Sequence, residues 1–350
     1  MKIVSIVGAR PQFIKASVVS EALQEYNIKE VIVNSGQHYD FNMSDVFFQS
    51  LKIPEPKYNL EVGSGTHAEM TAKIMIKFEP VLLTEKPDFV LVYGDTNTTL
   101  AGALVAAKLK IPVAHVEAGI RMHPKDMPEE INRVLVDKIS SKLFCASKRG
   151  LSNLQNEGIT EGVIFAGDVM YDVFLKTQPY FRYDCLKEHK LDEGKFVVVT
   201  LHRDYNVDSP ETLATILYEL QKVSKEYPVI FPVHPRTKKR IAEFSLKDLT
   251  KDLILIEPLG YLEMMGLIKA AKNIITDSGG LQKESYFAGK QALVVMPDTG
   301  WQELIDLRIN LLTEPIEIFS KWKSLNSFSF EEGIYGMGNA AEVVARSLLQ

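Results

Sequence analysis

The sequence predicts an α/β protein with two doubly wound parallel-sheet domains. Short apolar runs rich in valine and isoleucine recur along the whole chain of 350 residues. The runs are nearly continuous rather than alternating, which is typical of strands buried on both faces of a parallel sheet. Helical patterns lie between them, and such alternation indicates doubly wound domains. The length also suits two domains, at roughly 100–200 residues each.

The predicted elements alternate in order along the chain. We expect strands at residues 2–7, 30–34, 89–93, 112–116, 142–145, 163–166, 196–201, 229–233, 253–256, 273–276 and 292–296. We expect helices at residues 13–26, 98–108, 130–141, 210–226 and 281–288, and an amphipathic helix at 339–349. Residues 170–194 are polar and contain Pro179, and a new strand pattern begins at Lys195, so the domains join near residue 170.

The composition is that of an ordinary globular protein. Hydrophobic residues make up 46% and charged residues 24% of the chain, which excludes a disordered, collagen-like or coiled-coil protein. The formal net charge is −5, so we expect no basic face for nucleic acid or for an anionic membrane. The two cysteines, Cys145 and Cys185, form no disulfide framework and lack metal-ligand spacing, which favours a reducing, cytoplasmic setting.

No segment is expected to enter a membrane. The most apolar stretch, residues 100–107, is interrupted by Lys108 and Lys110, far short of the roughly 20 residues that a span needs. The first apolar run stops at Arg10 and Pro11, too early for the core of a signal peptide.

Polar groups follow nearly every predicted strand. Ligands of parallel α/β sheets bind beyond the carboxyl ends of the strands, so these groups are the first candidates for a site. One such group is usually a cap or turn residue, whereas several at one sheet edge in both halves suggest a cleft between two domains. They lie at residues 8–11, 37–38, 94–96, 117–119, 202–203, 234–236 and 277–280.

Two of these segments have the chemistry of a phosphate-binding site. Arg10 and Lys15 add two cations to the free N–H groups of a helix that Pro11 helps to begin. In residues 277–280 (Asp-Ser-Gly-Gly), glycines let a diphosphate approach, and Glu284 one turn on could accept from ribose hydroxyls. For the first segment, the alternative is that Arg10 and Lys15 are surface cations on an ordinary first helix. For the second, it is a plain turn between a strand and a helix, with Glu284 as an acid near the helix start that the helix dipole favours.

Three acidic residues in the first half are candidates for acid–base chemistry. Asp95 follows a strand, although the segment around it could equally cap the next helix. Glu117 lies where the chain leaves a buried strand, and a carboxylate there is costly unless something uses it. By strand alternation, its side chain points the same way as that of His115, and a histidine in such a run is more typical of a hydrogen-bonded core. Glu129 begins a helix, where it is also spaced to form an i,i+4 pair with Arg133.

Two partial motifs and a metal site are rejected. Residues 336–341 fit a loose dinucleotide fingerprint, but no strand and acidic residue can follow them. Residues 63–65 lack the third glycine. No HExxH, nucleophile elbow or Walker A sequence occurs, and Asp95, Glu117, His202 and His234 include no close ligand pair, so we expect no metal.

Seven motifs occur in a fixed order over nearly the whole chain. They are GARPQFIK (8–15), GDT (94–96), HVEAG (115–119), PEEINR (128–133), HR (202–203), DSGGLQKE (277–284) and YGMG (335–338). Together they closely resemble the non-hydrolysing UDP-N-acetylglucosamine (UDP-GlcNAc) 2-epimerases. The resemblance implies two Rossmann-like domains facing across a cleft (the GT-B architecture), usually in a homodimer. It also implies an N-terminal domain of residues 1–169 with a returning helix in 335–350, and a UDP-binding domain of residues 170–334.

The resemblance implies roles for individual residues. The positions that hold the UDP moiety are matched by Arg10, Lys15, His202, Ser278, Gly279, Gly280 and Glu284. Those assigned to catalysis are matched by Asp95, Glu117, Glu129 and His202. Arg133 matches a position near the sugar or the diphosphate.

The chemistry of C2 inversion explains this set of residues. The C2 hydrogen of a 2-acetamido sugar has no adjacent carbonyl, so simple deprotonation is too slow. Transient oxidation would need NAD, for which the chain lacks the fingerprint, so we expect no cofactor. The other route eliminates UDP to give a 2-acetamidoglucal and adds it back after protonation of the opposite face. That route needs a base and an acid on the two faces of the ring, and cations at the departing diphosphate.

Some positions depart from the common family pattern. Gln12 replaces the usual glutamate, and residues 297–301 depart from the usual Arg-Asp-x-Thr-Glu loop. Gln37, His38 and His234 resemble the bacterial allosteric site for UDP-GlcNAc, whereas Asp40 stands where regulated members have glutamine.

Several segments favour a second substrate. Residues 10–15, 37–40 and 234–236 look more like the subgroup that acts on UDP-2,3-diacetamido-2,3-dideoxy-glucuronate for surface polysaccharide synthesis. A uronate needs a further cation, which Arg121, Arg203 or Arg236 could supply, although each could equally be a surface or diphosphate-contacting arginine.

Two other classes of function compete with an epimerase. A GT-B glycosyltransferase could use the same UDP site, but it would need an acceptor channel and would have no use for the three carboxylates. A non-catalytic nucleotide-sugar sensor would tolerate the loss of Asp95, Glu117 and Glu129, yet all three are present.

Overall fold

The computed structural model describes residues 1–36, 55–325 and 330–350, which form two compact units. Unit 1 comprises Met1–Leu175 and Glu332–Gln350, and unit 2 comprises Lys176–Glu331. The chain is thus divided after residues 175 and 331, where the sequence predicts divisions after residues 169 and 334.

Unit 1 is built on a parallel sheet. Within the described residues its strand order is β3-β2-β1-β4-β5-β6-β7. The strands are β1 (Lys2–Val7), β2 (Lys29–Asn34), β3 (Tyr58–Asn59), β4 (Phe89–Tyr93), β5 (Val113–Ala118), β6 (Lys142–Cys145) and β7 (Val163–Phe165). The order reverses between β1 and β4, so the carboxyl ends of these strands form a topological switch point, where ligands of such sheets bind.

Unit 2 repeats this arrangement with a second parallel sheet. Over the described part of the chain its order is β10-β9-β8-β11-β12-β13. The strands are β8 (Val197–Thr200), β9 (Val229–Pro232), β10 (Ile254–Ile256), β11 (Asn273–Thr276), β12 (Ala292–Val294) and β13 (Leu311–Leu312). Its switch point lies between β8 and β11.

Helices connect the strands of both sheets. They are α1 (Arg10–Glu25), α2 (His67–Glu85), α3 (Asn97–Lys108), α4 (Pro128–Ile139), α5 (Lys148–Asn156), α6 (Val169–Thr177), α7 (Asp184–Glu188), α8 (Asp204–Val207), α9 (Pro210–Ser224), α10 (Pro235–Glu243), α11 (Tyr261–Ala270), α12 (Gly279–Phe287), α13 (Gln302–Asp306), α14 (Ile318–Lys323) and α15 (Ala340–Leu348). In unit 1 the late helix α15 packs against α1, and Tyr26 donates to Glu342 at 3.1 Å.

Each sheet has an apolar core of its own. Val4, Ile6 and Phe78 are fully buried in unit 1, as are Leu213 and Phe231 in unit 2. Fully burying such a side chain contributes about 1.5–3 kcal/mol. In unit 1, α3 lies so close to the sheet that a Cβ on Gly102 would stand 2.6 Å from Ile6 Cγ2, so only glycine fits there.

The predicted fold class is confirmed, and three of the elements that the sequence analysis missed have clear physical reasons. Helix α2 contains Pro80, which argues against a helix, although Thr66 and Glu69 form a capping box that signals its start. Strands β3 and β13 contain two residues each, too few for an apolar run to be recognised. Within the described residues, none of the helices combines the length and apolar character that crossing a bilayer requires.

Candidate active site

A cluster of charged side chains lies at the switch point of unit 1. Lys15, near the start of α1, forms an ion pair with Glu117 near the end of β5. Asp95, in the turn after β4, forms an ion pair with Arg133 of α4. The Lys15 and Glu117 side chains are only 10% and 9% exposed, so their charges stabilise each other away from bulk water. The structure therefore brings four of the predicted site residues into two close pairs.

Glu117 has an unusual backbone conformation. Its φ is +75°, in the left-handed region that costs a non-glycine residue about 1–2 kcal/mol, and the pairing of β5 with β6 shifts register between Val116 and Ala118. This irregularity interrupts the alternation that the sequence predicts. Such strain persists where the surrounding structure holds it, and it concentrates at functional sites.

Gly94 lies beside the Lys15–Glu117 pair and has a left-handed backbone. Its φ is +66°, and a Cβ there would stand 3.4 Å from Glu117 Oε2 and 3.6 Å from Lys15 Nζ. These are ordinary van der Waals distances, so it is the backbone conformation that favours glycine here.

The Asp95 carboxylate is not used to cap a helix. The cap of α3 is Thr96, whose hydroxyl accepts from the Thr99 N–H at 3.3 Å. Asn132 donates to the Asp95 carbonyl at 2.8 Å, and Arg133 holds the carboxylate. The Asp95 side chain is still 29% exposed, so a ligand can reach it.

The pair expected between Glu129 and Arg133 is not formed. Arg133 instead binds Glu130 at 3.0 Å, and the buried Glu130 also accepts from the Met122 N–H at 3.1 Å. Burial disfavours the Arg133 charge, but Asp95 and Glu130 outweigh it and raise the pKa of Arg133. Among the described residues Glu129 makes no side-chain hydrogen bond or ion pair, and it is half-buried. The helix thus points Glu130, not Glu129, at the arginine.

A buried network lies behind these pairs. His115 Nδ1 is 2.8 Å from Asp137 Oδ1, and His115 Nε2 is 2.8 Å from the Gly94 carbonyl oxygen. Arg121 donates to Asp137 at 2.8 Å and to both oxygens of Glu157 at 2.6 and 2.8 Å. His115 is the hydrogen-bonded core residue that the sequence predicts. Because His115 fixes the Gly94 carbonyl, the network supports the turn that carries Asp95.

Unit 2 places His202 on a buried carboxylate. His202 follows β8, and its Nδ1 lies 3.0 Å from Oδ1 of the fully buried Asp277, which follows β11. Asp277 also accepts from the backbone N–H of Arg203 at 2.9 Å and from Asn206 Nδ2 at 3.1 Å. Burial raises the pKa of Asp277, but these donors, with His202 foremost, outweigh burial and leave that pKa below its ordinary value.

The start of α12 has the features of an anion site. Ser278 caps the helix, with the Leu281 N–H 3.5 Å from its hydroxyl. A Cβ on Gly279 would meet nothing within 4 Å, and one on Gly280 would meet only Glu284 Oε2, at 3.9 Å. Neither glycine has a positive φ, so neither backbone geometry nor packing requires glycine here. Open space beside helix N–H groups suits a phosphate that approaches the backbone.

His234 lies beside His202 in unit 2. It caps α10, with its Nδ1 accepting from the Arg236 N–H at 3.2 Å, and its ring centroid is 5.6 Å from that of His202. Burial, and then the neighbouring His202 and Arg236, lower the pKa of His234. The other residues predicted for an allosteric site, Gln37 and His38, lie outside the described residues.

The remaining arginines differ in whether acidic side chains bind them. Arg10 is the first residue of α1 and is half-buried. Arg236 donates two hydrogen bonds to Asp208, and Arg240 binds the same carboxylate. The Arg236 guanidinium is therefore already paired with an acid. Arg121 is engaged in the buried network of unit 1. The Arg203 side chain makes one hydrogen bond to the described residues, from its Nε to the Asp277 carbonyl oxygen at 3.4 Å, and no ion pair with them.

The sequence analysis missed three acids that organise these clusters. Asp137 orients His115, Glu130 holds Arg133, and Asp277 holds His202. Asp277 carried a signal, since it begins the Asp-Ser-Gly-Gly segment directly after a strand, and Glu130 lies in the PEEINR motif, whereas Asp137 lies in none of the motifs. In the described part of the chain, no group of three or more His, Cys, Asp or Glu side chains is placed to hold a metal ion.

The two clusters suit different chemical tasks. In unit 1, carboxylates from separate strand and helix ends are held by fixed cations, which suits proton transfer to and from a bound molecule. In unit 2, a glycine-rich helix start lies on the same sheet edge as an oriented histidine, which suits binding of a diphosphate.

Comparison with known proteins shows what this chain is similar to. A family profile described as "UDP-N-acetylglucosamine 2-epimerase" matches residues 21–349. A "UDP-N-acetylglucosamine 2-epimerase homolog" of Methanococcus maripaludis is 44% identical over 95% of this chain and 96% of its own length. The UDP-2,3-diacetamido-2,3-dideoxy-D-glucuronate 2-epimerase of Pseudomonas aeruginosa is 43% identical over 99% of both chains.

Solved structures share the fold. The Methanocaldococcus jannaschii UDP-GlcNAc 2-epimerase, crystallised with UDP-GlcNAc and UDP, aligns with a TM-score of 0.90 at 40% identity over 100% of this chain and 99% of that chain. The glycosyltransferase SnogD of Streptomyces nogalater, with a TM-score of 0.56 and 14% identity over 100% of this chain and 95% of that chain, shares the GT-B type of fold alone.

Proposed function

The chain belongs to the UDP-N-acetylglucosamine 2-epimerase family, and from this premise we propose that it interconverts UDP-GlcNAc and its C2 epimer, UDP-ManNAc, without hydrolysing them. The solved relative from M. jannaschii was crystallised with UDP-GlcNAc and UDP, which supports a UDP-2-acetamido sugar as the substrate. The reaction removes the proton from C2 while the C1–O bond to UDP breaks, which gives a 2-acetamidoglucal and free UDP. UDP then returns to C1 as a proton is delivered to the other face of C2.

The carboxylates of unit 1 are proposed as the acid and base. Asp95 and Glu117 stand at neighbouring strand ends, each held by a cation, and Glu129 stands at the start of α4 without a partner among the described residues. A positioned acid or base contributes about 10²–10⁴ in rate. The observation that carries the proposal is this pair of carboxylates, each held by a cation at one switch point, because a glycosyltransferase or a sensor has no use for them.

The cations and the helix start are proposed to hold UDP. Ser278, Gly279 and Gly280 would bind the diphosphate through α12, and Glu284 would accept from the ribose hydroxyls. Arg10, Lys15 and His202 would add positive charge as the diphosphate departs, and Arg133 would lie near the sugar. Fixed donors of this kind stabilise charge that develops in a transition state.

Solvent exchange tests the proposal directly. The purified chain is incubated in D2O with UDP-GlcNAc and no acceptor, and the sugar is followed by NMR. We expect deuterium at C2, the appearance of UDP-ManNAc and slow release of some UDP. Absence of C2 exchange with every UDP-2-acetamido sugar tried would exclude an epimerase.

A second substrate is favoured by one relative. The P. aeruginosa epimerase that acts on UDP-2,3-diacetamido-2,3-dideoxy-D-glucuronate is about as similar to this chain as the M. maripaludis homolog. Of the three arginines considered for the uronate carboxylate, Arg121 and Arg236 are engaged by acids, so Arg203 is the remaining candidate. NMR of the products from both UDP-sugars, under identical conditions, decides between them.

A homodimer is also proposed, as the resemblance implies. Ile131 and Leu135 are 46% and 45% exposed and lie one turn apart on α4, so they offer an apolar surface for a second copy. Sedimentation velocity gives the mass of the assembly. A monomer at all protein concentrations used in the exchange assay would exclude the dimer.

A further inference from the structure

Asp277 is the most heavily hydrogen-bonded side chain of the unit 2 cluster. Besides the ring of His202, it accepts from the backbone N–H of His202 at 3.0 and 3.1 Å, from that of Arg203 at 2.9 Å and from Asn206 Nδ2 at 3.1 Å. Asn206 is itself anchored to the Val295 carbonyl at 2.9 Å. The position of the Asp277 carboxylate is therefore fixed by donors other than the imidazole. The carboxylate in turn fixes the orientation of the His202 ring.

This contact determines which nitrogen of His202 carries a hydrogen. An ionised carboxylate only accepts hydrogen bonds, so His202 Nδ1 must donate across the 3.0 Å contact to Asp277. Asp277 is ionised because its pKa lies below the ordinary value. The nitrogen left for a ligand is Nε2, and the His202 side chain is 35% exposed. The tautomer and the ring orientation are thus both set by Asp277.

The neighbouring histidine is held in the opposite tautomer. His234 Nδ1 accepts from the Arg236 N–H, so in the neutral ring the hydrogen is on Nε2. A proton added to His234 would have to occupy Nδ1 and break that cap, whereas one added to His202 occupies the exposed Nε2. Since the two rings are only 5.6 Å apart, they repel each other when both are charged. Of the two rings, only that of His202 can thus take a second hydrogen without losing an existing hydrogen bond.

Among the described residues, four titratable groups surround the ring of His202. They are Asp277 after β11, His234 at the start of α10, and Arg203 and Tyr205 in the segment after β8. Burial raises the pKa of Tyr205 to about 12, so it stays neutral. Asp277 is then the anion in contact with the ring, and it compensates a positive charge there.

We propose that Asp277 is a positioning residue for the epimerisation, acting through His202. It fixes Nδ1–H on its own carboxylate and presents the protonated Nε2 to the departing diphosphate. The proposal rests on the proposed function, because it gives His202 a task only if a diphosphate leaves the sugar. No proton transfer to the diphosphate is required, since Nε2–H acts as a charged hydrogen-bond donor.

A double-mutant cycle separates positioning from a structural role. We expect Asp277→Asn to lower kcat for C2 exchange about 100-fold or more, with the Kd for UDP changed less than about threefold. Because the effect acts through the ring, we expect Asp277→Asn combined with His202→Gln to be no slower than His202→Gln alone, within about threefold. The control for charge loss is Asp248→Asn, which removes an exposed carboxylate from the same unit and should leave exchange unchanged. Multiplied losses in the double variant would overturn the proposal.

Nitrogen-15 NMR of histidine-labelled protein tests the same point without activity. We expect the neutral His202 ring of the native protein to show a protonated Nδ1, with the resonance assigned by its loss in His202→Gln. In Asp277→Asn the amide can donate to Nδ1, so we expect the hydrogen to move to Nε2. A native ring with an unprotonated Nδ1 would overturn the proposal, even if the variant does not fold. A native chain without C2 exchange would instead contradict the proposed function, while the spectrum still decides the tautomer.

Discussion

The ammonium group of Lys15 and the carboxylate of Glu117 form an ion pair at the switch point of unit 1, with each side chain nine-tenths buried. Lys15 was expected to bind UDP and Glu117 to act in catalysis, so the pair joins two predicted roles. The lysine compensates the buried carboxylate. We propose that the same ammonium also attracts the diphosphate, so that Lys15 connects the UDP-binding groups with the catalytic ones.

Removal of Lys15 should destabilise unit 1 through the charge left behind. We expect Lys15→Met to lower the free energy of unfolding by about 3 kcal/mol, because Glu117 would be left buried and uncompensated. A second change, Glu117→Gln, should recover at least half of that loss although the double variant is inactive. Urea unfolding followed by fluorescence and circular dichroism gives both values.

The control for Lys15 is a lysine with an exposed side chain. Lys57 pairs with Glu85 but is 57% exposed, and Glu85 keeps Lys2 as a second partner, so Lys57→Met should lower stability much less than Lys15→Met. Equal losses for the two lysine variants would show that the Lys15–Glu117 pair has no special role in stability.

Asp95 should be essential for exchange but not for UDP binding. We expect Asp95→Asn to lower C2 exchange about 10²–10⁴-fold, the range for loss of a general acid or base, while the Kd for UDP stays within a few fold. The amide can still accept from Arg133, so α4 keeps its anchor. Asp192→Asn is the matched control, since Asp192 is 76% exposed. Retained turnover in Asp95→Asn would remove Asp95 from the catalytic set.

Two glycines of unit 2 should respond in opposite ways to alanine. Gly279 has open space and an ordinary φ, so Gly279→Ala should leave stability unchanged or raise it by up to about 1 kcal/mol, as alanine favours helix. Its methyl group would occupy the space of the diphosphate, so we expect UDP affinity to fall at least about tenfold. Isothermal titration calorimetry and thermal unfolding measure the two effects.

Gly289 supplies the contrast. Its φ is +71° and a Cβ there would meet nothing within 4 Å, so Gly289→Ala should cost about 1–2 kcal/mol through the backbone alone. UDP affinity should not change. If Gly279→Ala bound UDP as the native chain does, the start of α12 would not be the diphosphate site.

Glu284 should contribute to nucleoside binding. We expect Glu284→Ala to weaken UDP binding by about 1–3 kcal/mol, the scale for a lost hydrogen bond to a charged group. The loss should be smaller for 2′,3′-dideoxy-UDP, which lacks the ribose hydroxyls. Glu257→Ala, at a side chain that is 77% exposed, is the control. Equal losses for both nucleotides would contradict a ribose contact.

The sequence predicted the sheets well because their strands are buried on both faces. Runs such as residues 2–7, 142–145 and 273–276 coincide with observed strands, since continuous apolar residues leave few alternatives. The residues that follow such strands share a sheet edge by topology alone. For that reason Asp95 and Glu117, although 22 positions apart, could be expected at one site before any contact was known.

Individual partners could not be predicted in the same way. Whether Arg133 pairs with Glu129 or Glu130 depends on the rotation of α4 by one residue, and no periodicity fixes that when both positions are acidic. The left-handed backbone at Glu117 arises from a register shift between β5 and β6, which depends on long-range pairing. The tautomer of His202 likewise depends on Asp277, which lies 75 positions further along the chain.

Asp172 should make the stability of unit 1 depend on pH with an unusual sign. Its carboxylate accepts from the Ala341 N–H at 2.7 Å, where α15 begins. Burial, assisted by Asp168, raises the pKa of Asp172 from 3.8 to about 6, even though the hydrogen bonds from Ala341 and Ala340 oppose the shift. A carboxyl group with a raised pKa stabilises the fold when protonated, so that contribution is complete below about pH 4 and is lost as the pH rises through 6.

The variant Asp172→Asn should remove that dependence. A shift of this size corresponds to about 3 kcal/mol, and the amide oxygen can still accept from the Ala341 N–H. Relative to the native chain, we therefore expect the variant to gain stability progressively between pH 4.5 and 7, with the larger gain at neutral pH. Urea midpoints measured across this range test it, with Asp248→Asn as the control for an exposed carboxylate. Curves that stay parallel to the native one would show that Asp172 does not titrate in this window.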